Sequence, residues 1–157
     1  MPTHIQTIAE DRPLTESEQS LLRWLLEHGE ARGRDFLPQI DRARVSGRCG
    51  CGCATVDLVV DGLKEEEKGL FPVADFFYRT PSGGLCGVMA MVRGDRLAGL
   101  EVWSVDGRDT PTELPATDGL FPAAELENGG RTSAQSATPV RSPVSNHRPP
   151  PGVAHPW

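Results

Sequence analysis

Nothing in these 157 residues approaches the run of about 20 apolar residues that spans a bilayer. The opening Met1-Pro2-Thr3-His4-Ile5-Gln6 has neither the basic start nor the apolar stretch of a secretory leader. The expectation is a cytoplasmic protein that makes no use of a membrane. Also missing are a phosphate-binding loop, a G-x-G-x-x-G turn after a strand, H-E-x-x-H, G-x-S-x-G and C-x-x-C. Their absence points away from an enzyme, and no residue is assigned as catalytic. No pair of carboxylates with the spacing of a general acid and base stands out, Asp57 and Asp75 being single acids on expected strands. From Asn128 onward acids are lacking too, while Arg131, Arg141 and Arg148 remain; taking those three charges from the total of −6 leaves −9 on residues 1–127. That charge repels nucleic-acid phosphates and attracts a basic protein partner.

What is present begins with a helix signal. In Thr15-Glu16-Ser17-Glu18 the Thr15 hydroxyl and the Glu18 carboxylate sit three residues apart, the spacing of a capping box. Leu21, Leu22, Leu25 and Leu26 then fall on one helical stripe, and Gly29 offers a stop with His28 at the negative end of the helix dipole. Phe36, Leu37 and Ile40 suit a second, short helix that begins or bends at Pro38, which lacks an amide donor. From Val45 the period turns extended. Strands are expected at 54–60, 73–78, 85–93 and 97–105, the last two joined through Gly94-Asp95-Arg96 as a hairpin. Short links make the pairing antiparallel. The expected fold is α+β: two N-terminal helices on a four-stranded, mainly antiparallel sheet. Residues 1–13 form an arm, 14–126 a single domain, and 127–157 a Pro-rich tail with too little apolar surface to order itself.

Reactive side chains cluster in one stretch, Arg48-Cys49-Gly50-Cys51-Gly52-Cys53. Cysteines two apart on a strand do not pair with each other without distortion, so these are read as free thiols or ligands. Thiolates hold Zn or Cu, with Cys86, His4 or His28 as a fourth ligand to Cys49, Cys51 and Cys53. Extended i, i+2 side chains lie about 6.6 Å apart along the chain, whereas thiolates on one Zn²⁺ must lie within about 4 Å. A metal site therefore requires a bend at 49–53. The plainer reading makes cysteine a compact filler and glycine the residue of a bulge. A third makes the run thiol-redox chemistry, with Arg48 lowering a thiol pKa. Glu101 and Trp103 share one strand face and form a candidate binding surface for a cationic side chain.

The capping box before a Leu-rich helix, the cysteine run, Leu100-Glu101-Val102-Trp103-Ser104-Val105-Asp106-Gly107 and Leu114-Pro115 together resemble a family of small uncharacterised bacterial proteins, over about residues 14–122. The resemblance implies no established activity. Charge and the missing motifs lead first to a non-enzymatic interaction domain that engages a basic partner in the manner of an immunity protein. Metal binding or sensing and thiol redox chemistry are the alternatives.

Overall fold

Thr15 and Glu18 start the first helix as their spacing predicts. The Glu18 amide donates to Thr15 Oγ1 at 3.1 Å and the Thr15 amide to Glu18 Oε2 at 3.4 Å, which satisfies two donors that have no partner inside a helix. Helix α1, Glu16–His28, buries Leu21, Leu22, Leu25 and Leu26. At its end the Gly29 amide donates to the Leu25 carbonyl and the Nδ1–H of His28 to the Trp24 carbonyl, each at 2.8 Å. The structure, a computed structural model, describes residues 6–64 and 68–129.

The second helix differs from expectation. It is a 3₁₀ helix, Ala31–Arg42, that carries Pro38 in its interior instead of starting there. Its bonds are of the tight i→i−3 kind, from the Gly33 amide to the Glu30 carbonyl and from the Ala43 amide to the Ile40 carbonyl. Phe36 and Ile40 supply its buried side.

The four-stranded sheet is a correction: among the described residues the sheet has six strands. They are β1 Thr7–Pro13, β2 Ala43–Cys49, β3 Val56–Val60, β4 Leu70–Arg79, β5 Leu85–Arg93 and β6 Arg96–Ser104, all antiparallel, in the order β1-β2-β3-β6-β5-β4. The strands absent from the expectation are β1 and β2. Strand β1 lies at an edge with no residue fully buried, so its sequence carries no alternation of apolar and polar residues. In β2 the inward positions are Ala43, Val45 and Gly47, a faint apolar signal. The class remains α+β.

One sheet face carries the helices. Helix α1 rests on β4 and β5, and the 3₁₀ helix on β6. Val73, Val88, Val92, Leu97 and Leu100, each at most 1% exposed, form the core beneath them. On the opposite face the cross-strand set Phe77, Gly87 and Trp103 lies at one end. Phe121 closes it through reciprocal main-chain bonds with Phe77 at 2.8 and 2.9 Å. Beyond it runs a short helix, α2, Ala123–Gly129. The expected disordered tail lies outside the described residues from residue 130 onward. Among the described residues no helix is long and apolar enough to cross a membrane.

Strand β4 holds one buried polar atom without a bond. Among the described residues the Tyr78 hydroxyl has no geometrically formed hydrogen bond; the cross-strand Cys86 thiol lies close enough to interact with it. Burial pushes both the phenol and the Cys86 thiol above their ordinary values of 10.0 and 9.0. The folded chain therefore keeps these protons after the unfolded chain has released them. Their contribution to stability is intact below about pH 9 and is lost as pH rises. Tyr78→Phe is expected to be neutral or stabilising by up to about 1 kcal/mol, since an unbonded buried hydroxyl is a net cost. It should also move alkaline unfolding to higher pH. Denaturant melts across that range check both, and a loss above about 1 kcal/mol would show that the hydroxyl is bonded.

Candidate metal centre

Pairing between β2 and β3 runs to Arg48 opposite Val56. The residues between them form the hairpin loop, and the cysteines occupy it. Main-chain bonds fix this loop from several sides. The Cys49 amide donates to the Thr55 carbonyl at 3.2 Å, the Gly50 amide to the Gln6 carbonyl at 2.8 Å, and the Ala54 amide to the Pro111 carbonyl at 2.9 Å. Thr55 extends the ladder with its side chain: its hydroxyl accepts from the Val102 amide and donates to the Val102 carbonyl, both at 3.0 Å.

The two glycines have separate reasons. Gly52 adopts φ +89°, a backbone that L side chains rarely take. At Gly50 a Cβ would run into the Gln6 carbonyl. With these two in place the loop turns tightly enough to bring the sulfurs together. Cys49, Cys51 and Cys53 place their Sγ atoms within 4.8 Å of one another. The Cys49 and Cys51 sulfurs are 2.9 Å apart, and the Cys53 amide donates to Cys51 Sγ at 3.4 Å. All three are free cysteines; Cys51 is exposed, Cys49 and Cys53 are half-buried, and Cys53 packs on the edge of the core.

This arrangement separates the thiols in acidity. Burial first, then the contact with Cys51, pushes Cys49 up to about 11. Hydrogen bonding from the Cys49 thiol and the Cys53 amide draws Cys51 below its ordinary value of 9.0. Arg48, adjacent in sequence, takes no part in this. Its Nε is paired with Glu10 Oε1 at 2.9 Å on β1, because neighbours on a strand point to opposite faces.

Three thiols within this distance can share a single metal ion once the Cys49 and Cys51 sulfurs open from 2.9 Å toward the roughly 4 Å of a common ion. Among the described residues no other group of three or more His, Cys, Asp or Glu side chains is spaced this way. Cys86 stands apart from the group: it lies opposite Tyr78 on β5, fully buried. His28 is held at the end of α1, stacked on Trp24 with ring centroids 4.2 Å apart. His4 is outside the described residues.

Glu101 and Trp103 lie on the sheet face away from the helices, opposite Met89 and Gly87. The Trp103 ring covers Gly87 and meets Phe77 edge-on at 6.2 Å, and its Nε1 is buried without a partner among the described residues. Glu101 lines a groove of about 330 Å³ with Asp57, Met91 and Arg93. Two residues that shape the cysteine loop, Thr55 and Pro111, carry no sequence signal for that role. Thr55 reads as part of a strand, and Pro111 sits in an irregular segment. No protein-family model, curated protein or solved structure matches the chain.

Proposed function

We propose that this protein binds one thiophilic metal ion through Cys49, Cys51 and Cys53, and that the ion is Cu(I). The observation that carries this reading is the grouping of three sulfurs on one anchored loop. Soft thiolate ligands favour Cu(I) and Zn(II) over hard cations. A set of three sulfurs is a complete trigonal shell for Cu(I). Zn(II) takes four ligands in closed structural sites, so at this loop it would need water or an added group in the fourth position. With no fourth protein ligand beside the loop among the described residues, Cu(I) is the better fit. The exposed Cys51 gives the ion a route in and out.

Anaerobic titration of the reduced chain with Cu(I), read by competition with a chromophoric chelator, is expected to give one tightly held ion per chain. Metal content together with thiol counting should show the three loop thiols protected and Cys86 unaffected by the ion. Three freely reactive loop thiols in the presence of both Cu(I) and Zn(II) would reject the reading.

The pH dependence has a definite sign. Cys49 keeps its proton up to about pH 11, so an ion binding at neutral pH must displace it. Affinity rises with pH by about tenfold per unit for each proton released and falls on acidification. The same chelator competition at several pH values checks this, and a flat profile would mean that Cys49 is not a ligand.

A further inference from the structure

We infer that Cys51 and Cys49 also form a dithiol that reduces a hydroperoxide, with Cys51 as the attacking sulfur and Cys49 as the resolving one. The inference uses the same loop as the metal reading but needs no ion. Only its last consequence, loss of the metal site on oxidation, rests on that reading.

Geometry carries the argument. Cysteines two apart on a flat strand are held too far apart to join. Here Gly50 and the left-handed Gly52 remove that barrier, and the Cys49 and Cys51 sulfurs lie 2.9 Å apart. Cys51 is the exposed member, open to a small solute, while Cys49 lies half-buried behind it. The Cys53 amide points at Cys51 Sγ, which favours negative charge on that sulfur.

The chemistry balances with the hydroperoxide as the only oxidant. The Cys51 thiolate attacks the terminal oxygen of ROOH; an S–O bond forms, the O–O bond breaks, and the alkoxide leaves and takes a proton from water as ROH. Cys51 is then a sulfenic acid. The Cys49 sulfur attacks the Cys51 sulfur, the S–S bond forms, the S–O bond breaks, and the departing hydroxide leaves as water with the Cys49 proton. Two thiols are oxidised by two electrons and the peroxide is reduced by two. A bridge across one glycine is small and exposed, the kind that thiols readily reopen. While it persists, Cys53 is the sole thiol left in the loop, and a three-sulfur metal site no longer exists.

The test uses the full chain, reduced and free of metal, exposed to stoichiometric hydrogen peroxide, with disulfide mapping and thiol counting. The expected result is an intramolecular Cys49–Cys51 bridge and the loss of two thiols, at least about tenfold faster than in Cys51→Ser. Cys49→Ser should stop at a sulfenic acid on Cys51 that a dimedone probe captures, and Cys53→Ser should still form the bridge. Equal rates in the native chain and Cys51→Ser would overturn the inference, as would a bridge to Cys53 or only intermolecular products. Because no ion is present, a positive result with no Cu(I) uptake removes the metal reading alone. Cu(I) uptake without the bridge removes the dithiol alone.

Discussion

Cys51→Ser is expected to weaken Cu(I) binding by about a thousandfold or more while leaving the fold intact. Loss of groups that only orient a ligand costs about 10–100-fold in metal affinity, and loss of a ligand itself must exceed that. A thousandfold corresponds to about 4 kcal/mol of binding free energy. The fold should tolerate the change because Cys51 is exposed in the hairpin loop, most of whose bonds are main-chain ones, and a serine hydroxyl can still accept from the Cys53 amide. Cys86→Ser provides the opposite pattern. That thiol is fully buried among core residues, and a hydroxyl there, with only the Tyr78 hydroxyl close to it, costs about 1–3 kcal/mol of stability, with Cu(I) affinity unchanged in the folded fraction. Chelator competition and denaturant melts on the two variants separate the roles. Affinity within about threefold of native in Cys51→Ser would place the ion elsewhere.

How much of this was legible in the sequence depends on where the information resides. The capping box and the Leu21–Leu26 stripe are local, and they give α1 directly. Strands β3 to β6 alternate apolar and polar residues or run apolar, so their period shows. Strand β1 shows nothing of the kind, because an edge strand held by main-chain bonds and ion pairs needs no apolar face. Its partner β2 places Gly47 where an apolar side chain would announce the pattern. The bend at the cysteines follows from thiolate spacing and from glycine, both visible in the sequence. The anchors of that bend are not visible, since Gln6 and Pro111 are brought to it by the tertiary fold and Thr55 acts through Val102 on β6. Cys86 is a similar case: the β4–β5 register sets it opposite Tyr78, buried and outside the group of three sulfurs.

Glu18→Ala is the substitution expected to damage the fold most among those considered, by about 2–3 kcal/mol. The Glu18 side chain is 7% exposed and does two jobs. It completes the capping box, worth about 1 kcal/mol, and it accepts both terminal nitrogens of Arg12 from β1, at 2.9 and 3.2 Å. Arg12 is about a third exposed and retains Glu10, so water and that second carboxylate soften the loss of its partner. A double-mutant cycle with Arg12→Ala should return a coupling of about 1 kcal/mol or more, which would establish the pair as the link between the edge strand and the helix. A total loss below about 1 kcal/mol would mean that α1 is held by its leucines alone. The same charges continue through Glu10 to Arg48, next to Cys49, which raises the question of whether damage at the helix start reaches the cysteine loop. The loop's own bonds run through Gln6, Thr55 and Pro111 carbonyls, and none of them uses a side chain of that chain of charges. Glu18→Ala should therefore lower the unfolding free energy while the folded fraction keeps native Cu(I) affinity.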